Sequence, residues 1–291
     1  MAGSHCSLKQ SARMLALAGV FLIQALASGW AAEKPGVPPG RDPDGVAIAI
    51  VGPGVDYTVP EIAVRLARDG EGEIVGFDLI DGDRRPYAAL PVPPDVAARV
   101  TFIVLRQAVA SRLVVFRMDS AVQASIARAL AMTAMSPARI VLLDVPAAAT
   151  LRWEGLVAVS QRLADRLVVV AVEGAIGRSA EAAGEAGLAN VLLVRGCVRA
   201  GAECVAAGED LASVDVVVPV DAGAGEGSGD AAAQVAALAV RVLGAEPQMD
   251  GAALKGRIAG LGAVVPERRY RLIEDPAQVV IAPKVTGNVG R

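Results

Sequence analysis

From Ala231 to Leu243 only Gln234 and Arg241 interrupt a helix-length run of small apolar residues, AAAQVAALAVRVL. A helix that is apolar on nearly every face has to be buried on nearly every face, so the rest of the chain must supply layers to enclose it. The run is preceded by Gly227-Ser228-Gly229-Asp230. There Ser228 or Asp230 can cap the free N–H groups and glycine lets another chain come close. An open, donor-rich N-terminus on a buried helix is a common place for an anion or a nucleophile in α/β enzymes.

The enclosing layers are legible as an alternation. Val46–Val51, VAIAIV, is a continuous apolar run suited to a strand covered on both faces, and Gly52-Pro53-Gly54 forces a turn after it. A second strand is expected over 73–80. Then come helix 95–109, strand 113–117, helix 121–134, strand 139–145, helix 151–165 and strand 167–172. Strands 190–194 and 214–220 precede the opening helix, and a shorter helix, 251–259, follows it. Strands alternating with helices of this length predict an α/β fold: a mostly parallel, doubly wound sheet with helices on both faces.

Residues 1–32 read separately. Lys9 and Arg13 precede an apolar stretch from Met14 to Ala27, with small residues after it, the pattern of a secretory signal peptide, with an uncleaved N-terminal anchor as the alternative. A Pro/Gly-rich linker is expected over 33–44, the domain over 45–263 and a C-terminal tail over 264–291. Export predicts a secreted or periplasmic protein with no stable membrane span after cleavage. It also removes His5, the only histidine, and with it any mechanism that needs an imidazole. Taking Lys9 and Arg13 from the 28 basic residues, against 31 acidic, leaves a net charge of −5. No basic block or aromatic cluster points to nucleic acid.

Of the three cysteines, Cys197 and Cys204 remain in an oxidising compartment, either as a disulfide across a short hairpin or as two buried thiols. No CxxC spacing points to zinc, and Asp81-Gly82-Asp83 lacks the ligand series of a calcium loop, so no metal is expected. A dinucleotide reading of Gly52-Pro53-Gly54 puts Tyr57 where the third glycine belongs. No cofactor is expected.

Several segments, in order, resemble the subtilisin-like serine proteases, the subtilases. VAIAIVGPGVDYTVPEI, 46–62, looks like the strand and turn that carry that family's catalytic aspartate, and GEIVGFDLIDGD fits the next strand. RLVVFRM, RIVLLDVP and LVVVAVEGAIG fit three further core strands, and 227–258 fits the serine-bearing helix and its successor. The resemblance implies a three-layer subtilisin-like fold around a buried central helix. Carried across residue by residue, it implies no working triad. The aspartate falls on Gly52, the histidine on Val96, the nucleophile on Gly229 and the oxyanion asparagine on Ala175. The strand that would pair with a peptide ends Asp144-Val145-Pro146, where proline lacks the N–H that strand addition uses.

The expected reading is an exported, catalytically inactive member of that family that binds or scaffolds an unknown protein or peptide. One rival is a divergent serine hydrolase in which Ser228 is served by a carboxylate such as Asp95, and Glu173 lies at another strand end facing the same region. The other rival is a small-ligand-binding α/β domain.

Overall fold

The computed structural model describes residues 34–89, 96–119, 122–144, 153–172, 188–200, 203–205, 214–221, 227–265 and 270–281. The chain divides into two compact units, Met1–Gly36 and Val37–Arg291. The expected signal peptide, together with Asp95, Glu173 and Ala175, lies outside the described residues.

Within the larger unit the strands are β1 Val46–Gly52, β2 Gly76–Asp78, β3 Ser111–Arg117, β4 Ile140–Leu143, β5 Leu167–Ala171, β6 Val191–Ala200, β7 Glu203–Val205, β8 Val216–Pro219, β9 Ala263–Val264 and β10 Arg271–Leu272. The helices are α1 Pro60–Ala63, α2 Val96–Gln107, α3 Gln123–Thr133, α4 Trp153–Arg162, α5 Ser228–Ala245 and α6 Gly251–Leu261. The sheet order is β2-β3-β1-β4-β5-β6-β8-β10-β9, with β7 pairing antiparallel to β6. From β2 to β10 every pairing along that path is parallel, and only β9 is antiparallel. This is the expected doubly wound α/β architecture.

The two-residue period of a strand sorts the core into two layers. Ile48 and Ile50 of β1 join Leu113, Ile140, Leu142 and Val169 in the layer that holds α2, α5 and α6. Their neighbours Ala47, Ala49 and Val51 join Val114, Val141 and Val168 in the opposite layer, against Ile126 and Leu130 of α3. Apolar residues at every position, rather than at every second one, are what a sheet covered on both sides requires.

The run 231–243 is the middle of α5, and 14 of that helix's 18 residues are buried, so all its faces are enclosed. Arg241, one of the two interruptions, donates to the carbonyls of Pro276, Ala277 (3.1 Å) and Val279 (3.2 Å). It thereby holds the 3₁₀ turn Pro276–Gln278 against the helix. Within the stretch expected as a tail from Val264, Arg271 and Leu272 pair in parallel with Val216 and Val217. Proline punctuation concealed this, because a two-residue strand leaves no periodicity. At the other end, the Pro/Gly segment before β1 is docked by Arg68, which donates to the Pro38 carbonyl at 2.6 Å, while Asp42 accepts from the Arg68 N–H at 2.7 Å. The second strand is three residues long rather than eight, since Asp78 turns the chain by accepting from the N–H groups of Ile80 and Asp81. No helix among the described residues is long and apolar enough to cross a membrane.

Candidate functional site

In open parallel sheets the crevice for ligands lies beyond the C-terminal ends of the strands, where the strand order reverses. Here β1 is followed in sequence by strands on one side, β2 and β3, and then by β4 on the other. The switch point therefore lies between Gly52, the last residue of β1, and Asp144, just beyond β4. The two are packed together. A Cβ built on Gly52 would stand 3.1 Å from both the Asp144 Cβ and its carbonyl oxygen. The backbone is engaged as well, with the Asp144 N–H donating to Val51 at 2.9 Å and the Met118 N–H donating to Gly52 at 2.8 Å. A side chain at position 52 would have to displace Asp144.

On the far side of Gly52 stands its register partner Arg117. Arg117 donates to Asp78 at 2.7 Å and to Asp81 at 2.8 Å, and the Asp78 side chain is fully buried. Burial by itself would lower the Arg117 pKa, but the two carboxylates outweigh it and hold the guanidinium above its ordinary value. Asp81 therefore serves an ion pair, and among the described residues no group of three potential ligands could hold a metal ion. Tyr57 is fully buried and packs on Tyr87 with ring centroids 5.1 Å apart, so a side chain fills the turn where a dinucleotide would need open backbone.

The second half of the site is the start of α5. Its N-cap is Gly227, in the left-handed region at φ 67°, with no side-chain cap. The expected capping by Ser228 or Asp230 does not occur, because both lie inside the helix. Ser228 is buried, and its Oγ accepts from the Gly196 N–H at 3.2 Å. Gly196 has no room for a side chain, since a Cβ there would meet the Gly227 carbonyl carbon and oxygen at 2.8 Å. Strand β6 thus presses directly on the helix start. Among the described residues the Ser228 hydroxyl makes no hydrogen bond to a carboxylate or an amine. Gly229, next along, is buried and has no functional group.

Asp230 reaches to Arg99 on α2, and its Oδ2 accepts from the guanidinium. Asp230 is 5% exposed, and its Oδ1 has no hydrogen-bond partner among the described residues. Burial raises its pKa; Arg99 pulls it down and Asp221 pushes it up. Val96 opens α2, so the structure brings the starts of α2 and α5 together. What joins them is an ion pair between Arg99 and Asp230, two residues that sequence reasoning did not select as partners. Local spacing carries no signal of a pair 131 positions apart. Close to the helix start, Cys197 and Cys204 form a disulfide with Cα atoms 5.5 Å apart, closing the β6–β7 hairpin.

No family model matches the chain, and no curated protein matches it. Solved structures do. The A-subunit of the AB5 toxin from E. coli superposes with a TM-score of 0.56 at 17% identity, covering 80% of this chain and 90% of that one. MycP1 with its N-terminal propeptide removed gives 0.51 at 17% identity, covering 82% and 93%. The nisin leader peptidase NisP from Lactococcus lactis gives 0.52 at 11% identity, covering 79% and 86%. The fold is therefore protease-like, with the subtilisin-like three-layer arrangement. The expectation that the chain is a degenerate member of the subtilases is corrected: at 11–17% identity, without a matching family model and with a toxin subunit among the neighbours, what is shared is the fold alone.

Proposed function

We propose that this protein is an exported, catalytically silent binding or scaffolding protein on a protease-like fold. The observation that carries the reading is the start of α5. The buried Ser228 hydroxyl is engaged by the Gly196 N–H, and the neighbouring carboxylate, Asp230, is committed to Arg99. A nucleophile needs a base within hydrogen-bond reach and a route for substrate, and a hydroxyl that is 1% exposed offers little access. The closed junction of Gly52 and Asp144 supports the same reading, as does a sequence whose only histidine is His5.

The test is hydrolysis of a mixed fluorogenic peptide library by the purified protein from acid to neutral pH, beside Ser228→Ala. Neither protein is expected to cleave above background. Cleavage by the wild type that disappears in Ser228→Ala overturns the reading in favour of a serine hydrolase with an acidic base. Export is checked by N-terminal sequencing of the protein recovered outside the cytoplasm, where a start near residue 33 is expected.

A further inference from the structure

Helix α2 is buried along one face and only partly buried along the next. Val100, Val104 and Ala108 are buried against the layer that contains α5. On that second face Phe102 and Leu105, packed at the edge of the core, and the exposed Arg106 and Val109 follow the i, i+3, i+4, i+7 spacing, running two residues past the end of α2. This face forms one wall of a groove of about 300 Å³, and Val64 and Arg65, just past α1, form the other. Val64 is 65% exposed and Val109 75%, so the groove has an apolar rim that no described residue covers.

The charges in the groove are unbalanced. Arg65 is half-buried and among the described residues donates to neutral acceptors, the Ala108 carbonyl at 3.3 Å and the Ser111 hydroxyl at 3.4 Å. Burial lowers its pKa, the sign of a cation stripped of water without a carboxylate in return. Arg106 lies over the Phe102 ring, 6.0 Å from its centroid, and has no ion-pair partner among the described residues. Glu61 is the one acid in the lining. The groove is thus locally cationic on a chain whose net charge is −3. A half-buried guanidinium such as that of Arg65 gains most from a carboxylate, and an apolar wall gains from an aliphatic or aromatic side chain.

We infer that the groove between α1 and the C-terminal half of α2 docks a short acidic-apolar peptide segment of a partner protein, an apolar side chain in the groove and a carboxylate on Arg106 and Arg65. Its size, at the low end for ligand pockets of ~300–1,000 Å³, fits one or two side chains. The site lies by the start of β3, away from the start of α5, as the Val46 N–H bonded to Ala110 places it. It gives the proposed binding role a location and a partner chemistry, and it stands even if Ser228 proves catalytic.

The experiment is selection of short random peptides displayed against the full chain. Anisotropy titrations of the enriched peptides follow, with wild type, Arg106→Glu, Val109→Lys and Val64→Lys. All three positions are exposed, and unchanged thermal unfolding confirms that each variant is folded. Enriched peptides are expected to carry Asp or Glu beside a large apolar residue and to bind Arg106→Glu at least about tenfold more weakly, about 1.4 kcal/mol. Exchanging their carboxylates for lysine should restore binding to that variant. Absence of enrichment overturns the proposal, as do neutral or basic sequences, or binding indifferent to all three substitutions. Self-association that Arg106→Glu dissolves also overturns it, assigning the groove to a contact between copies of this chain.

Discussion

Asp230 in the first turn of α5 and Arg99 in the first turn of α2 form an ion pair that ties the two helix starts together. The carboxylate is buried and the guanidinium is 38% exposed, so the partners are unequal. Removing Arg99 strands a buried charge, whereas neutralising Asp230 leaves a cation that water can reach. Arg99→Ala is expected to cost about 1–3 kcal/mol, below the range for a fully buried pair. Asp230→Asn should cost less. Urea unfolding at neutral pH checks the order, and a larger loss for Asp230→Asn would show that the charge is a net asset.

The same residue predicts a pH dependence. Burial holds the Asp230 pKa above its ordinary 3.8. A carboxyl that binds its proton more tightly when folded contributes most below its unfolded value, and that contribution is lost as pH rises through the folded pKa. Asp230→Asn does not titrate and lacks this loss. The stability of Asp230→Asn relative to wild type should therefore increase from below pH 3.8 to neutrality. Unfolding midpoints measured across that range decide it; a constant difference would mean that position 230 is not shifted.

Placing an aspartate where β1 ends should fail. The Cβ of a residue at 52 meets Asp144 at 3.1 Å, and its carboxylate would stand beside an existing one. Gly52→Asp is expected to lose about 1–3 kcal/mol or more through overpacking and to gain no peptide hydrolysis. Gly52→Ala should fall between it and wild type. A Gly52→Asp protein as stable as the parent would mean that the junction yields easily.

Arg241 holds three carbonyls of 276–279. Burial lowers its pKa, with Asp275 acting in the opposite direction. Arg241→Met keeps much of the apolar stem and removes the donors, so the 3₁₀ turn and β10 should lose amide-exchange protection while β1 and β4 keep theirs. Uniform loss across the sheet would show that the segment unfolds only with the whole domain.

Reduction of the Cys197–Cys204 disulfide, with a sequence separation of 7, should lower stability. The loop-closure account gives about 2–3 kcal/mol for so short a loop. Thermal unfolding with and without reductant measures the loss. Cys197 is 2% exposed, so thiol labelling after reduction should be slow there while the protein stays folded.

Much of the fold was legible because it rests on local repetition. VAIAIV in β1 and the AAAQVAAL run in α5 announce burial on both faces of a strand and all round a helix. Of the candidate site the sequence showed residue types and not their neighbours. Gly52 and Gly229 could be read as positions without chemistry, but what stands against them could not. Arg241 did leave a signal, since a lone arginine in an apolar helix calls for acceptors, yet its partners lie in a stretch that looked like a tail.

The sequence by itself determined a parallel sheet covered on both faces and a buried helix, because continuous apolar runs and their alternation are properties of neighbours along the chain. It also established the absence of histidine beyond His5. The tertiary structure alone decided that Gly52 abuts Asp144, that Asp230 pairs with Arg99, and that Arg65 and Arg106 border an uncovered groove. Those contacts depend on strand order, register and helix placement, which bring together groups that local periodicity cannot relate.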